Sequence, residues 1–184
     1  MNLSSTIERT PSPTLRAVSV RVSRAVRAAP GRVFDAWLNA DEARAFLFVD
    51  RIGDAVGAQI DARVGGGFRL VRHADAGNVE YCGEYLEIDR PHRLVFSLFV
   101  ERYAQRDDRV IVEFAPLEAQ SLIVLTHEFS LWNPLEKSRL ERSWTRALDL
   151  LAARISRCGV RPMTRNGFDR CVASETWINQ ELPC

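Results

Sequence analysis

The chain has 184 residues, a length typical of one domain with short terminal segments. Hydrophobic residues make up 46% of it and charged residues 27%, which is the usual balance of a globular protein. The net charge of +1, with dispersed basic residues, argues against nucleic acid or an anionic membrane as a partner. No signal-peptide core and no apolar run of about 18 residues occurs, which argues against membrane insertion. We therefore expect a cytoplasmic protein.

The N-terminal quarter predicts an arm, a strand and two short helices. Residues 1–14 carry two prolines and little that could pack, so we expect a flexible arm. Pro30 begins the first helix, a position where proline is tolerated, and Asn39 ends it. Asp41 is expected to cap the second helix, which ends near Phe46. The strand is indicated by alternating Val18, Val20 and Val22, and the first helix by an apolar face of Val33, Phe34, Trp37 and Leu38.

From Gln59 onward the chain predicts strands joined by tight turns. Glycines at 65–67 indicate a bend or bulge before the next strand. Because consecutive strands are linked by hairpin-like turns, the pattern favours an antiparallel sheet of about six to seven strands. The predicted strands are Phe68–Arg72, Tyr81–Ile88, one with Leu94, Phe96, Leu98 and Val100 on one face, one with Val110, Val112 and Phe114, and Leu122–Phe129.

One long helix is predicted after the strands, at Pro134–Arg157. Asn133 suits the N-cap, Pro134 the first helical position, and Glu136 completes a capping-box-like pattern. Twenty-four helical residues would span roughly 36 Å, enough to cross a whole sheet. The wide apolar face must be buried, and a curved sheet offers the surface for it; this face comprises Leu140, Trp144, Ala147, Leu148, Leu151 and Ile155. Residues 159–184 are interpreted as a C-terminal tail.

Four segments, in this order, resemble a known family: Ala29–Trp37, Asp61–Arg69, Gly83–Phe96 and Ser143–Leu151. They are similar to the Hsp90 ATPase activator homologues, a branch of the START-like superfamily that also contains polyketide cyclase-like and Bet v 1-like proteins. The resemblance covers roughly residues 16–157. It implies a helix-grip fold for a domain at 15–158: an α+β architecture in which a curved antiparallel sheet wraps around a long C-terminal helix and encloses a cavity.

The sequence offers few candidates for catalytic, metal-binding or ligand-binding residues. No HExxH motif and no i, i+4 histidine pair occurs, so the sequence predicts no metal site and no cofactor. His127 shares strand parity with Leu125 and Phe129 and should face the cavity, either as a hydrogen-bonded core histidine or as a group that orients a ligand or accepts a proton. Glu84 shares parity with Ile88. It is interpreted either as an inward carboxylate paired with Arg69 or Arg72, or as part of an outward ion pair. Tyr81 and Tyr85 could supply hydroxyl groups.

Three functions remain open. The first is non-enzymatic binding of a small hydrophobic or amphipathic ligand in the cavity. The second, implied by the resemblance, is a stand-alone co-chaperone with a protein partner. The third is a cyclase- or hydrolase-like enzyme with His127 and Glu84 as acid and base. The expected cavity residues are Trp37, Phe68, Arg72, Glu84, Phe96, Leu98, Phe114, Leu125, His127, Trp144 and Leu148.

Overall fold

The computed structural model describes residues 17–48, 55–74, 77–100, 108–130 and 134–158. Within these residues the chain forms seven strands and three helices. In chain order they are β1 (Ala17–Val26), α1 (Pro30–Leu38), α2 (Ala40–Ala43), β2 (Ala55–Ile60), β3 (Gly67–Ala74), β4 (Gly77–Asp89), β5 (Arg93–Val100), β6 (Asp108–Leu117), β7 (Gln120–Ser130) and α3 (Pro134–Cys158). No helix in this part of the chain combines the length and apolarity needed to cross a membrane.

The seven strands form one curved antiparallel sheet in the order β1-β7-β6-β5-β4-β3-β2. Strands β2 to β7 follow one another as a meander, and the last of them, β7, pairs with the first strand, β1, at the edge of the sheet. Helix α3 packs against β1, whereas α1 contacts β6 and β7 and α2 contacts β2. This arrangement confirms the predicted helix-grip architecture of a sheet wrapped around a long helix, with two short helices after the first strand.

The core lies between the concave face of the sheet and one side of α3. The inward positions of β5, β6 and β7 are buried on every second residue, as their alternating patterns predicted. The apolar face of α3 is also buried as predicted, with buried residues spaced three or four apart along the chain: Trp144, Ala147, Leu148, Leu151 and Ile155. A second group of buried residues comes from α1 and the turn after α2: Val33, Phe34, Trp37, Phe46 and Leu47.

The connection between the short helices corrects one prediction. Asn39, not Asp41, caps α2: its side-chain oxygen accepts a hydrogen bond from the backbone N–H of Glu42 at 3.1 Å. Asp41 lies in the first turn instead, where its charge suits the positive end of the helix. Predictions for the arm at 1–14, for Asn133 as a cap and for the tail at 159–184 lie outside the described residues.

Gly83 on β4 marks a close approach inside the sheet. A Cβ atom at this position would overlap the carbonyl oxygen of Ser97 and lie 2.6 Å from the ring of Phe68. We expect Gly83→Ala to lower the free energy of unfolding by about 1–3 kcal/mol, because backbone and ring must shift to admit the methyl group. Chemical denaturation would measure the change.

Gly57→Ala provides the matched control for this prediction. A Cβ atom at Gly57 would meet nothing within 4 Å. The control should stay within about 0.5 kcal/mol of the parent protein. Equal losses in the two variants would contradict the steric explanation.

Candidate functional site

A cavity of about 250 Å³ lies between the N-terminal half of α3 and the concave face of the sheet. Its apolar wall combines strand residues with Leu140 and Trp144 from α3, and charged side chains also line it. The lining consists of Phe48, Arg72, Val79, Tyr81, Leu98, Val100, Asp108, His127, Glu136, Arg139, Leu140, Ser143 and Trp144.

Strand register explains why these sheet residues meet. Lining residues on neighbouring strands are direct or near cross-strand partners, so they form a row across one end of the sheet. The direct pairs are Arg72 with Val79, Tyr81 with Val100, and Leu98 with Asp108, whereas His127 pairs with Val110, two residues after Asp108 on β6. Polar residues of β3, β4, β6 and β7 therefore line the same cavity, although they are far apart in the sequence.

His127 is at the centre of a buried polar group in the cavity wall. Its side chain is 1% exposed, and its Nδ1 accepts a hydrogen bond from Nε1–H of Trp144 at 2.9 Å. Because an indole N–H can only donate, Nδ1 carries no proton and the ring proton is on Nε2. That nitrogen lies 3.2 Å from Oδ2 of Asp108, in an alignment short of a well-formed hydrogen bond. His127 is therefore a neutral imidazole with both nitrogens facing protein groups.

Asp108 is a buried carboxylate in the cavity wall. Its side chain is only 7% exposed, and its Oδ1 has no hydrogen-bond partner among the described residues. A carboxylate can accept about four hydrogen bonds, and burying one without partners is costly. Since Asp108 lines the cavity, a bound molecule could supply the missing donor.

Aromatic side chains form another part of the wall and meet the polar group at Trp144. Phe48 stacks on Tyr81, with ring centroids 4.3 Å apart and planes 3° apart, and meets the edge of Trp144 at 5.4 Å. Phe48 has a φ of 56°, an uncommon conformation for a bulky residue. The Tyr81 hydroxyl accepts a 3.4 Å hydrogen bond from the Arg72 guanidinium. Arg72 is thus joined to the aromatic part of the wall through Tyr81.

The structure divides the eleven expected cavity residues into groups. Four line the 250 Å³ cavity: Arg72, Leu98, His127 and Trp144. Three line a separate space of about 10 Å³ on the other side of Phe48, near the buried Tyr85: Trp37, Phe68 and Phe96. Three others are buried core residues: Phe114, Leu125 and Leu148.

Glu84, the remaining one, does not line the cavity, so that expectation is wrong. It is exposed, and the neighbouring Tyr85 takes the concave side. A register shift between Tyr85 and Glu87 reverses the alternation, so Ile88 contacts the core although it shares parity with Glu84. Arg69 pairs with Glu80 instead. The suggested acid–base pair therefore does not form, because His127 and Glu84 lie on opposite faces of the sheet.

Sequence reasoning missed several lining residues, and Asp108 is the most important. Asp108 precedes Val110 and Val112 at the same strand parity, so extending that strand by two residues would have placed it on the inward face. Glu136, Arg139 and Ser143 carried no comparable signal. Among the described residues, no three His, Cys, Asp or Glu side chains come together in a group that could hold a metal ion.

Solved structures with the same architecture come from several bacteria. Protein CV1439 from Chromobacterium violaceum is 23% identical with a TM-score of 0.64, and the match covers 73% of this chain and 95% of that one. An AHSA1-like protein from Aeromonas hydrophila is 19% identical with a TM-score of 0.62, covering 80% and 100%. A protein of unknown function from Staphylococcus aureus is 16% identical with a TM-score of 0.65, covering 79% and 98%. At these identities the likeness shows the fold alone.

Sequence comparison identifies the family. No curated protein sequence matches the chain. The sequence profile described as "Activator of Hsp90 ATPase homolog 1-like protein" matches residues 27–156, which is 130 of the 184 residues and includes α1, α2, the whole sheet except β1, and nearly all of α3. With the helix-grip structure on which it falls, this match shows that the chain belongs to the family of Activator of Hsp90 ATPase homolog 1-like proteins, within the START-like fold.

Proposed function

We propose that this protein binds a small amphipathic molecule in the 250 Å³ cavity and does not transform it. The observation that carries the proposal is a cavity with both apolar and polar walls that reaches a buried carboxylate oxygen with no hydrogen-bond partner among the described residues. Small-molecule sites combine apolar surface with placed polar groups, and this lining offers both, which suits an amphipathic ligand.

The position of His127 favours binding over catalysis. A general base needs a nitrogen lone pair directed at its substrate, and the lone pair of this imidazole accepts the Trp144 N–H. The second expected catalytic group, Glu84, is on the other face of the sheet. The Asp108–His127–Trp144 group therefore serves to join β6, β7 and α3 and to shape the polar end of the cavity.

Blocking the cavity tests this proposal. Ser143 lies on α3 in the lining and is exposed, so Ser143→Phe should fill the cavity with little cost in stability. Saturation-transfer NMR with a set of small amphipathic molecules should reveal binders of the parent protein whose signals disappear with this variant. Ser138→Phe is the matched control, because Ser138 is exposed on the same helix outside the lining. Binders unaffected by Ser143→Phe, or no binders at all, would contradict the proposal.

The family description also names activation of the Hsp90 ATPase, which keeps the stand-alone co-chaperone as an alternative. That alternative rests on family membership, whereas ligand binding also draws on the cavity and on Asp108. A coupled ATPase assay with an Hsp90 would decide it, since an unchanged rate would contradict a role as an activator.

A further inference from the structure

We propose that the ligand carries a protonated amine that binds Asp108, joined to a small apolar body. This inference rests on the proposed binding function and specifies the chemical class of the ligand.

The charge around Asp108 is the first argument. Among the residues that the structure describes, its one ion-pair neighbour is His127, and the Trp144 hydrogen bond keeps that imidazole neutral. Within the described residues, this buried carboxylate thus has no full positive charge paired with it, an arrangement that is unfavourable unless something else compensates. An ammonium group would supply both the charge and up to three N–H donors, one of them for Oδ1.

Two arginines line the cavity with Asp108, and in the part of the chain that the structure describes neither of them forms an ion pair with it. Arg72 is on β3 and Asp108 on β6, so their backbones are three strand spacings or roughly 14 Å apart along the sheet. The Arg72 guanidinium contacts the Tyr81 hydroxyl. Arg139 and Glu136 are on the first turns of α3, and Arg139 is exposed to solvent. An anionic ligand could pair with an arginine there but would leave the buried carboxylate without compensation.

The aromatic wall is the second argument for a cation. Phe48, Tyr81 and Trp144 all line the cavity. Aromatic faces attract ammonium groups through their quadrupoles, and this attraction grows when the cation is removed from water. A carboxylate combined with aromatic rings is a suitable environment for an organic cation with an apolar body.

The cavity volume sets the ligand size. Water occupies about 30 Å³ per molecule in the liquid, so the 250 Å³ cavity has room for roughly eight to ten non-hydrogen atoms. Arylalkyl amines such as 2-phenylethylamine are of this size. We therefore choose 2-phenylethylamine as the probe, with 2-phenylethanol and phenylacetate as neutral and anionic molecules of nearly the same shape.

Isothermal titration calorimetry at pH 7 with the three probes tests the inference. The amine should bind most tightly. Asp108→Asn should weaken amine binding about tenfold or more, since it removes a charge-assisted contact, and should change 2-phenylethanol binding little. Asparagine retains an oxygen that can accept from His127, and circular dichroism would verify the fold. The charge-matched control is Asp149→Asn, because exposed Asp149 pairs with Arg24 outside this cavity and its loss should leave all three affinities unchanged.

The outcomes separate the two proposals. Two outcomes would overturn the amine assignment and leave ligand binding in place. One is tighter binding of the alcohol or the acid than of the amine, and the other is undiminished amine affinity in Asp108→Asn. If Asp108→Asn does not fold, the relative affinities of the parent protein for the three probes still test the amine assignment. No binding of any probe at millimolar concentration would overturn both proposals.

Discussion

Trp144→Ala should lower the free energy of unfolding by about 3–5 kcal/mol, the usual range for truncating a buried tryptophan. The indole is 3% exposed, contacts Phe48 and His127, and connects α3 to the sheet through its hydrogen bond. Its loss would also leave Nδ1 of His127 buried without a donor. Urea denaturation followed by circular dichroism would measure the change.

Comparing two tryptophan-to-phenylalanine variants isolates the hydrogen bond. Trp37 is as buried as Trp144, at 1% exposure, but among the described residues its Nε1 has no hydrogen-bond partner. Trp144→Phe should therefore be more destabilising than Trp37→Phe by about 1–3 kcal/mol, the cost of leaving one buried acceptor unsatisfied. Equal losses would show that the Trp144–His127 bond contributes nothing beyond packing.

Nitrogen NMR of His127 gives an independent measurement on the same variants. In the parent protein the ring proton should be on Nε2, because Nδ1 accepts the indole N–H. Trp144→Phe removes the donor that selects this tautomer, so the Nδ1 signal should shift strongly. A parent protein with the proton on Nδ1 would contradict the geometry of the site.

The second large effect is expected at the other end of α3. Leu151 is fully buried in the half of the helix that packs on the sheet without lining the cavity. Leu151→Ala should lower the free energy of unfolding by about 2–5 kcal/mol, through lost burial and the void left behind. Because this residue is outside the lining, affinity for a cavity ligand should fall little under conditions where the variant remains folded.

An exposed leucine supplies the control for this prediction. Leu117 at the end of β6 is 44% exposed, and Leu117→Ala should change the free energy of unfolding by only about 0.5 kcal/mol. The same denaturation experiment measures both variants. If Leu151→Ala were as mild as this control, α3 would not be anchored by its C-terminal half.

Local patterns were sufficient for much of the fold. The predicted helix Pro134–Arg157 differs by one residue from α3, because proline at the first position and apolar residues at three and four spacings are signals that do not depend on distant contacts. The inward position of His127 was also predictable, since β7 pairs with both neighbours without a bulge and its alternation is therefore continuous.

The site itself was less predictable, and Glu84 shows why. Its expected orientation was counted from Ile88, but the register shift between Tyr85 and Glu87 lies between the two. A bulge depends on how β4 pairs with β5, and the residues of β4 alone do not reveal it. The capping of α2 by Asn39 was missed for a more local reason, because both Asn39 and Asp41 are suitable N-cap residues.

The order of elements, the antiparallel sheet, the long helix and the inward face of β7 follow from the sequence alone, because each depends on periodicity or capping within a few residues. Only the tertiary structure revealed which polar groups meet. Trp144 reaches His127 from 17 positions away, and Asp108 joins them through the pairing of β6 with β7. Strand register and the position of α3 set those contacts, so the unsatisfied carboxylate on which the proposed ligand depends exists only in the folded protein.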